Sequence, residues 1–134
     1  MHHFSRTLLV SALFLTACSD NATVVQYDKD LTKLECLRLS VFPPDPLITT
    51  TLEALYPFKE ECPYRLQVSK KTGITCNSNQ NAPKKALSNF PNGYIRMDIY
   101  KEKKLIYSYY RDLNDKISKT NITDAFTRVQ KDLL

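Results

Sequence analysis

Histidine is nearly absent from this 134-residue sequence, and its two copies, His2 and His3, directly follow the first methionine. The rest of the chain therefore has no imidazole for a Ser–His–Asp or Cys–His nucleophile, for general acid–base catalysis or for a His-ligated zinc. Tryptophan is absent and glycine occurs only twice. With 43% hydrophobic and 25% charged residues, the composition is that of a globular chain, and the length predicts one compact domain.

Clustered carboxylates are present, but they lack the neighbours that a metal site or a hydrolase needs. Residues 28–30 and 112–115 have carboxylate spacings that occur in calcium loops, without the glycine and distal glutamate of an EF-hand. Helix caps and turns explain them better. Glu60 and Glu61 are interpreted as a charged turn before Cys62 rather than half of a glycosidase pair. The sequence thus predicts no enzymatic activity, no catalytic residue, no metal and no cofactor.

The first eighteen residues have the layout of an export signal. Arg6 supplies a positive charge, residues 8–15 form a short apolar run, and Thr16 and Ala17 precede Cys18. The run is shorter than the ~20 residues that cross a bilayer. Residues 15–18, Leu-Thr-Ala-Cys, resemble the lipobox of bacterial lipoproteins, which implies a signal peptide at 1–17 and acylation of Cys18. The alternative is an ordinary cleaved signal followed by a disulfide-bonded cysteine.

The residues after Cys18 bear on where such a lipoprotein resides. Ser19 follows the cysteine, and by resemblance to enterobacterial sorting habits a serine there implies the outer membrane, on its periplasmic face. Residues 18–28 are predicted to be a lipidated tether, and residues 29–134 a single periplasmic domain. Acyl chains such as palmitate would hold the protein to the membrane. Cleavage removes Arg6 and no acidic residue, so the remaining chain stays mildly basic. We expect a protein partner, and neither a nucleic acid nor a small-molecule substrate.

Three cysteines remain once Cys18 is lipidated. Cys36, Cys62 and Cys76 contain no C-x-x-C spacing, which argues against a thioredoxin-type pair or a zinc knuckle. An oxidising compartment predicts one intramolecular disulfide. Cys36–Cys62 is the preferred pair because it would tie the N-terminal region to the entrance of the predicted sheet, and Cys62–Cys76 is the competitor.

The N-terminal half predicts two helices. After a possible cap at Asp30, leucines share one helical face, although alternating apolar residues also allow a strand; a helix is the preferred interpretation. The residues concerned are Leu31, Leu34 and Leu37 for the helix, and Leu37, Leu39 and Val41 for the strand. A second helix begins with Asp45 as its cap and Pro46 as its first residue and ends before Pro57. Its apolar stripe is Ile48, Leu52 and Leu55.

The C-terminal half predicts two hairpins and a final helix. Residues 64–68 and 74–76 form the first hairpin, and residues 83–90 a short helix. Residues 94–100 and 105–110 form the second hairpin, in which pairing Tyr100 with Leu105 places Ile99 opposite Ile106 and Ile95 opposite Tyr110. The last helix begins near residue 121. These elements predict an α+β fold, with an antiparallel sheet of about four strands and helices on one face. The face bearing Ile95, Met97 and Ile99 and the helical stripe Ile122, Phe126, Val129 and Leu133 should meet in the core.

The opposite face of the sheet is predicted to bind a partner through Arg96, Tyr107 and Tyr109, because tyrosine and arginine are typical of contact surfaces. The alternative is that these rings fill the core.

Size, anchor and missing catalytic groups make the chain similar in class to small accessory lipoproteins of envelope machines, such as pilotins or the lipoprotein of type IV secretion channels. That similarity implies a non-enzymatic assembly or structural subunit. The alternative is a periplasmic inhibitor or immunity protein that binds a hydrolase or toxin.

Overall fold

The computed structural model describes residues 22–73 and 92–134. In this part of the chain, five strands and two helices form an α+β fold. The elements are β1 Ala22–Gln26, β2 Arg38–Val41, α1 Pro46–Leu55, β3 Tyr64–Lys71, β4 Gly93–Lys101, β5 Lys104–Leu113 and α2 Lys119–Leu133. Neither helix has the length and apolarity that crossing a bilayer requires.

The strands form one mixed sheet in the order β1-β5-β4-β3-β2. Every neighbouring pair is antiparallel except β2 and β3, which are parallel. The predicted α+β class is confirmed, whereas a purely antiparallel sheet of about four strands is wrong. Parallel neighbours need a long crossover, and here α1 provides it between β2 and β3.

Two predictions near the N-terminal end of the described chain are wrong. Residues 22–26, assigned to the tether, form β1 and pair with β5. The helix expected from Asp30 is irregular chain that leads into β2. Leu34 and Leu37 are buried, so their apolar spacing reflects core contacts. The alternation of Leu37, Leu39 and Val41 was the informative pattern, because strand pairing with β3 outweighs local helical spacing.

Helix α1 begins where the sequence predicts. The Asp45 side chain caps it by accepting a hydrogen bond from the Ile48 amide at 3.1 Å, and Pro46 is its first residue. Ile48 and Leu52 are fully buried. Leu55, the third residue of the predicted stripe, is 40% exposed because the helix ends there.

The hairpin of β4 and β5 is confirmed, but its register changes within the ladder. Tyr100 pairs with Leu105 as predicted. A bulge between Ile99 and Tyr100 then leaves Ile106 without a partner on β4 and places Ile99 opposite Tyr107. One extra residue on one strand reverses the faces of all residues beyond it. The predicted pairs of Ile99 with Ile106 and of Ile95 with Tyr110 are therefore wrong.

The sequence predicts pairing of strand β3 with residues 74–76, and the structure gives this strand two other partners. It pairs with β4 on one side and with β2 on the other. The predicted return strand at 74–76 and the helix at 83–90 lie outside the described residues. So do residues 1–17, Cys18 and Cys76.

The core lies between one face of the sheet and the two helices. Ser118 and Asn121 form a capping box at the start of α2, which begins two residues earlier than predicted. All four residues of its predicted stripe are buried. They belong to one apolar cluster with Ile48 and Leu52 of α1 and with Leu66, Val68, Ile95, Met97 and Ile99 of the sheet.

The predicted disulfide between Cys36 and Cys62 is confirmed. Cys36 lies just before β2 and Cys62 just before β3, and these parallel strands begin side by side, with Arg38 next to Arg65. Their preceding segments therefore come together, with the Cα atoms 5.9 Å apart. The bridge closes the β2-α1-β3 unit at its entrance.

Candidate functional site

The candidate site is the sheet face that the helices leave uncovered, called the open face below. Its residues alternate along each strand with the buried residues of the core face. Most are partly exposed, and tyrosine, followed by arginine and serine, is the commonest residue type on its three central strands. These strands contribute Arg65, Gln67 and Ser69 of β3, Tyr94, Arg96, Asp98 and Tyr100 of β4, and Ser108 and Tyr110 of β5, and the register adds Thr23 and Val25 of β1 and Arg38 and Ser40 of β2.

Asp98 organises the centre of the open face. Only 5% of it is exposed, Arg96 Nε lies 2.8 Å from its Oδ2, and the Ser108 hydroxyl donates to its Oδ1 at 2.6 Å. The neighbouring carboxylate raises the pKa of Arg96. A buried carboxylate with two such partners is compensated, and in return it holds the Arg96 guanidinium in place on the surface.

An aromatic pair flanks this arginine. The rings of Tyr94 and Tyr110 lie 5.3 Å apart, centroid to centroid, and Tyr110 is the cross-strand neighbour of Arg96. Partial burial, together with a 2.8 Å hydrogen bond from the Tyr110 hydroxyl to Asp112, raises the pKa of Tyr110. Both rings are therefore held in place beside a charged donor.

A second arginine and ring lie towards the other end of β4. Arg65 and Tyr100 are register partners, and the Arg65 Cζ lies 4.9 Å from the centroid of the Tyr100 ring, within cation–π range. The Arg65 Nε is buried and has no hydrogen-bond partner among the described residues.

The structure corrects two of the three predicted partner-binding residues. Arg96 lies on the open face, as expected. Tyr107 and Tyr109 are 0% and 1% exposed and belong to the core. The bulge at Ile99/Tyr100 is the reason, since it places both rings on the same side as the buried isoleucines.

The tyrosines that do share the open face with Arg96 are Tyr94, Tyr100 and Tyr110. The alternation of β4 contained the signal for the first two, because they alternate with Ile95, Met97 and Ile99. Nothing in the local sequence of β5 marks the bulge, so the sequence pattern predicts the wrong face for Tyr110.

The open face carries side chains of types that are common at binding surfaces. It presents guanidinium donors and flat aromatic surfaces, both of which are typical of protein contact surfaces. In the two described stretches, no three His, Cys, Asp or Glu side chains lie close enough to hold a metal ion. Comparisons with protein-family models, curated proteins and solved structures give no match for this chain.

Proposed function

We propose that the chain is a non-enzymatic lipoprotein, anchored through Cys18 to the periplasmic face of the outer membrane, which docks a protein subunit of an envelope complex such as a secretion system. The observation that carries the docking proposal is the open face, where Arg96, Tyr94 and Tyr110 form a fixed cluster that neither helix covers. The anchor rests on the export-signal and lipobox pattern of residues 1–18.

The open face suits a protein partner because its groups are already held in place. Asp98 holds Arg96, and the rings of Tyr94 and Tyr110 contact each other. Ordered rings and guanidinium groups lose little conformational entropy when a partner covers them, and residues of these types dominate interface hot spots.

Strand β1 begins close to Cys18 along the chain, which limits how far the sheet can lie from an anchor at that residue. Ala22 is the first strand residue and follows Cys18 by four positions, which span at most about 14 Å when extended. Acylation of Cys18 would therefore hold the β1 edge of the sheet close to the bilayer. The anchor would orient the domain as well as retain it.

Substitution of Cys18 tests the anchor. We expect Cys18→Ala to abolish incorporation of labelled palmitate and to move the chain from the membrane to the soluble fraction. Cys76→Ala, which removes another cysteine, should leave both properties unchanged. A Cys18→Ala chain that still carries the label would refute the lipoprotein proposal.

Paired substitutions test docking on the open face. In mild detergent, the wild-type chain should co-purify with a large membrane complex. The double variant Tyr94→Ala and Tyr110→Ala should reduce that recovery by about tenfold, or ~1.4 kcal/mol. Leu55→Ala, at an exposed residue of α1, is the matched control and should have no effect.

Two results would contradict the docking proposal. Normal recovery of the complex by the folded double variant would exclude the open face as the docking site. Extraction of the wild-type chain alone, with binding to a soluble hydrolase or toxin, would instead identify an inhibitor.

A further inference from the structure

Strand β2 is an edge strand of the sheet, and half of its backbone N–H and C=O groups point away from the neighbouring strand β3. On the inner side, the Phe42 amide donates to the Val68 carbonyl at 3.1 Å, which shows that even-numbered residues here direct their polar groups towards β3. Because backbone groups alternate in direction along a strand, the N–H and C=O groups of Leu39 and Val41 point outwards. Leu37 has the same parity, and its carbonyl accepts from the Lys59 amide at 2.9 Å on that outer side.

Beyond Leu37, the outer edge of β2 is free of backbone partners in the part of the chain that the structure describes. The N–H and C=O of Leu39 and of Val41 remain available there. An unpaired edge of this kind is a template for another strand. Phe42, directly after the strand, is 69% exposed and offers an apolar contact.

A groove runs along this edge. It encloses about 590 Å³ between β2, helix α1 and the segment after α1, a size suited to side chains of a bound peptide. Its lining includes Leu39 and Val41 of β2, Thr49 and Glu53 of α1, and Phe58.

Two adjacent arginines, together with Lys59, outnumber the two carboxylates of Glu53 and Glu60 that also line the groove, so its lining is net positive. Arg38 and Arg65 both line it and are register partners on neighbouring strands, so their side chains lie on the same face. Neither forms an ion pair with a described residue, and Arg65 Nε is buried without a hydrogen-bond partner. Two adjacent guanidinium groups match a carboxylate in charge and in donor geometry.

We propose that the free edge of β2 binds an extended, acidic segment of a partner protein as a sixth strand, with a carboxylate of that segment held by Arg38 and Arg65. The main-chain groups of Leu39 and Val41 would provide affinity for any extended chain. The arginine pair would provide selectivity for the acidic residue. The site shares Arg65 with the open face, but its hydrogen-bonding edge is that of β2, and it does not depend on the anchor.

The test uses peptides selected from a displayed random library on the purified full-length chain in detergent. We expect the selected peptides to be enriched in Asp or Glu. Binding of the best peptide should slow hydrogen exchange at the amides of Leu39 and Val41. Peptides without acidic enrichment, or a complex in which both amides exchange as in the free chain, would overturn the proposal.

Two valine variants separate the β2 edge from the other edge of the sheet. Val41→Pro removes an outward amide of β2 and should weaken the peptide at least tenfold. Val24→Pro is the matched control: Val24 is also partly buried against the core, and its amide points away from β5, because the inward position is that of Tyr27, which donates to Ile106. Equal effects of the two variants would contradict strand addition at β2.

A charge exchange tests the arginine pair even if Val41→Pro fails to fold. Arg38→Glu should weaken the acidic peptide at least tenfold, and the same peptide with Lys in place of its acidic residue should recover affinity for this variant. Unchanged binding would refute the carboxylate site. If the Leu39 and Val41 amides are already protected in the free chain, the edge is occupied by the chain itself or by a second copy, and the proposal is wrong.

Discussion

At the scale of single residues, Tyr107 shows why a tyrosine can serve the core instead of the surface. Its ring is fully buried, and its hydroxyl reaches the helix surface, where it donates to Asp132 Oδ2 at 2.8 Å. The same oxygen lies 2.9 Å from Arg128 Nε. The one polar atom of the side chain is therefore satisfied by a charge-assisted bond between β5 and α2.

We expect Tyr107→Phe to lower the free energy of unfolding by about 1–2 kcal/mol near pH 7, since it removes a hydrogen bond to a carboxylate. Burial and the Asp132 partner raise the pKa of Tyr107 above its ordinary value. The folded state therefore retains this proton after the unfolded state loses it. The contribution of Tyr107 to stability is complete below about pH 10 and declines as the pH rises further.

The variant should consequently lose less stability than the wild type when chemical denaturation is repeated above pH 10. Tyr27→Phe, at a residue that is 55% exposed, is the control and should keep wild-type stability at neutral pH. Parallel high-pH curves for the wild type and Tyr107→Phe would contradict the assigned burial of this hydroxyl.

At the scale of elements, Asp45 links the start of α1 to β3. Its carboxylate caps the helix and also forms an ion pair with Lys70. The Lys70 partner holds the pKa of Asp45 below its ordinary value. Stability from this group is thus present above the unfolded pKa of about 4 and is lost as the pH falls through the lower folded value.

Two substitutions separate the cap from the ion pair. Asp45→Asn keeps a good capping residue and should cost less than about 1 kcal/mol, whereas Asp45→Ala loses both interactions and should cost about 1–2 kcal/mol. Urea denaturation at several pH values measures both. Below pH 4 the wild type should approach Asp45→Asn, and a gap that stays constant with pH would contradict the role of Lys70.

The two faces of the sheet differ in burial, so a carboxylate introduced on each face should have very different effects on stability. Ile99 is fully buried, so Ile99→Asp should destabilise the chain by more than about 3 kcal/mol, because it places a carboxylate without a partner in the core. Ser69→Asp introduces the same charge on the open face, opposite Arg96, and should change stability by less than about 0.5 kcal/mol. Thermal melts of similar midpoint for the two variants would contradict the assigned difference between the faces, and a lower midpoint for Ser69→Asp would mean that the faces are reversed.

At the scale of the whole molecule, the disulfide closes the β2-α1-β3 unit. The double variant Cys36→Ser and Cys62→Ser should lower the free energy of unfolding by about 3.5 kcal/mol, as expected for a loop of this length. Cys76→Ser should leave the melting temperature unchanged. Alkylation without reductant should find one free thiol in the acylated chain; a loss of stability in Cys76→Ser equal to that of the double variant would contradict the bridge.

The sheet also separates the two ends of the proposed assembly. β1 and β2 are its opposite edges, four strand spacings or about 19 Å apart. A lipid at Cys18 would hold the β1 edge near the membrane, and the proposed peptide site would lie at the far edge. The open face connects the two.

The amino-acid sequence alone determined the local features. Asp45 and Pro46 start a helix because a capping side chain and a preset backbone act within one turn. The stripe of α2 and the alternation of β4 identify their buried faces, because each period belongs to a single element. With an oxidising compartment assumed, the sequence favours Cys36–Cys62 but leaves Cys62–Cys76 open, and the structure contains the favoured pair.

Only the tertiary structure decided which elements lie next to each other. β1 and β2 are short strands, and each exists because a neighbour, β5 or β3, accepts its hydrogen bonds. The bulge beside Ile99 adds one residue, Ile106, to β5. That extra residue turns Tyr107 and Tyr109 from the predicted binding face into the core. Strand register depends on the packing of side chains from distant parts of the chain, and the spacing of residues within one strand does not contain that information.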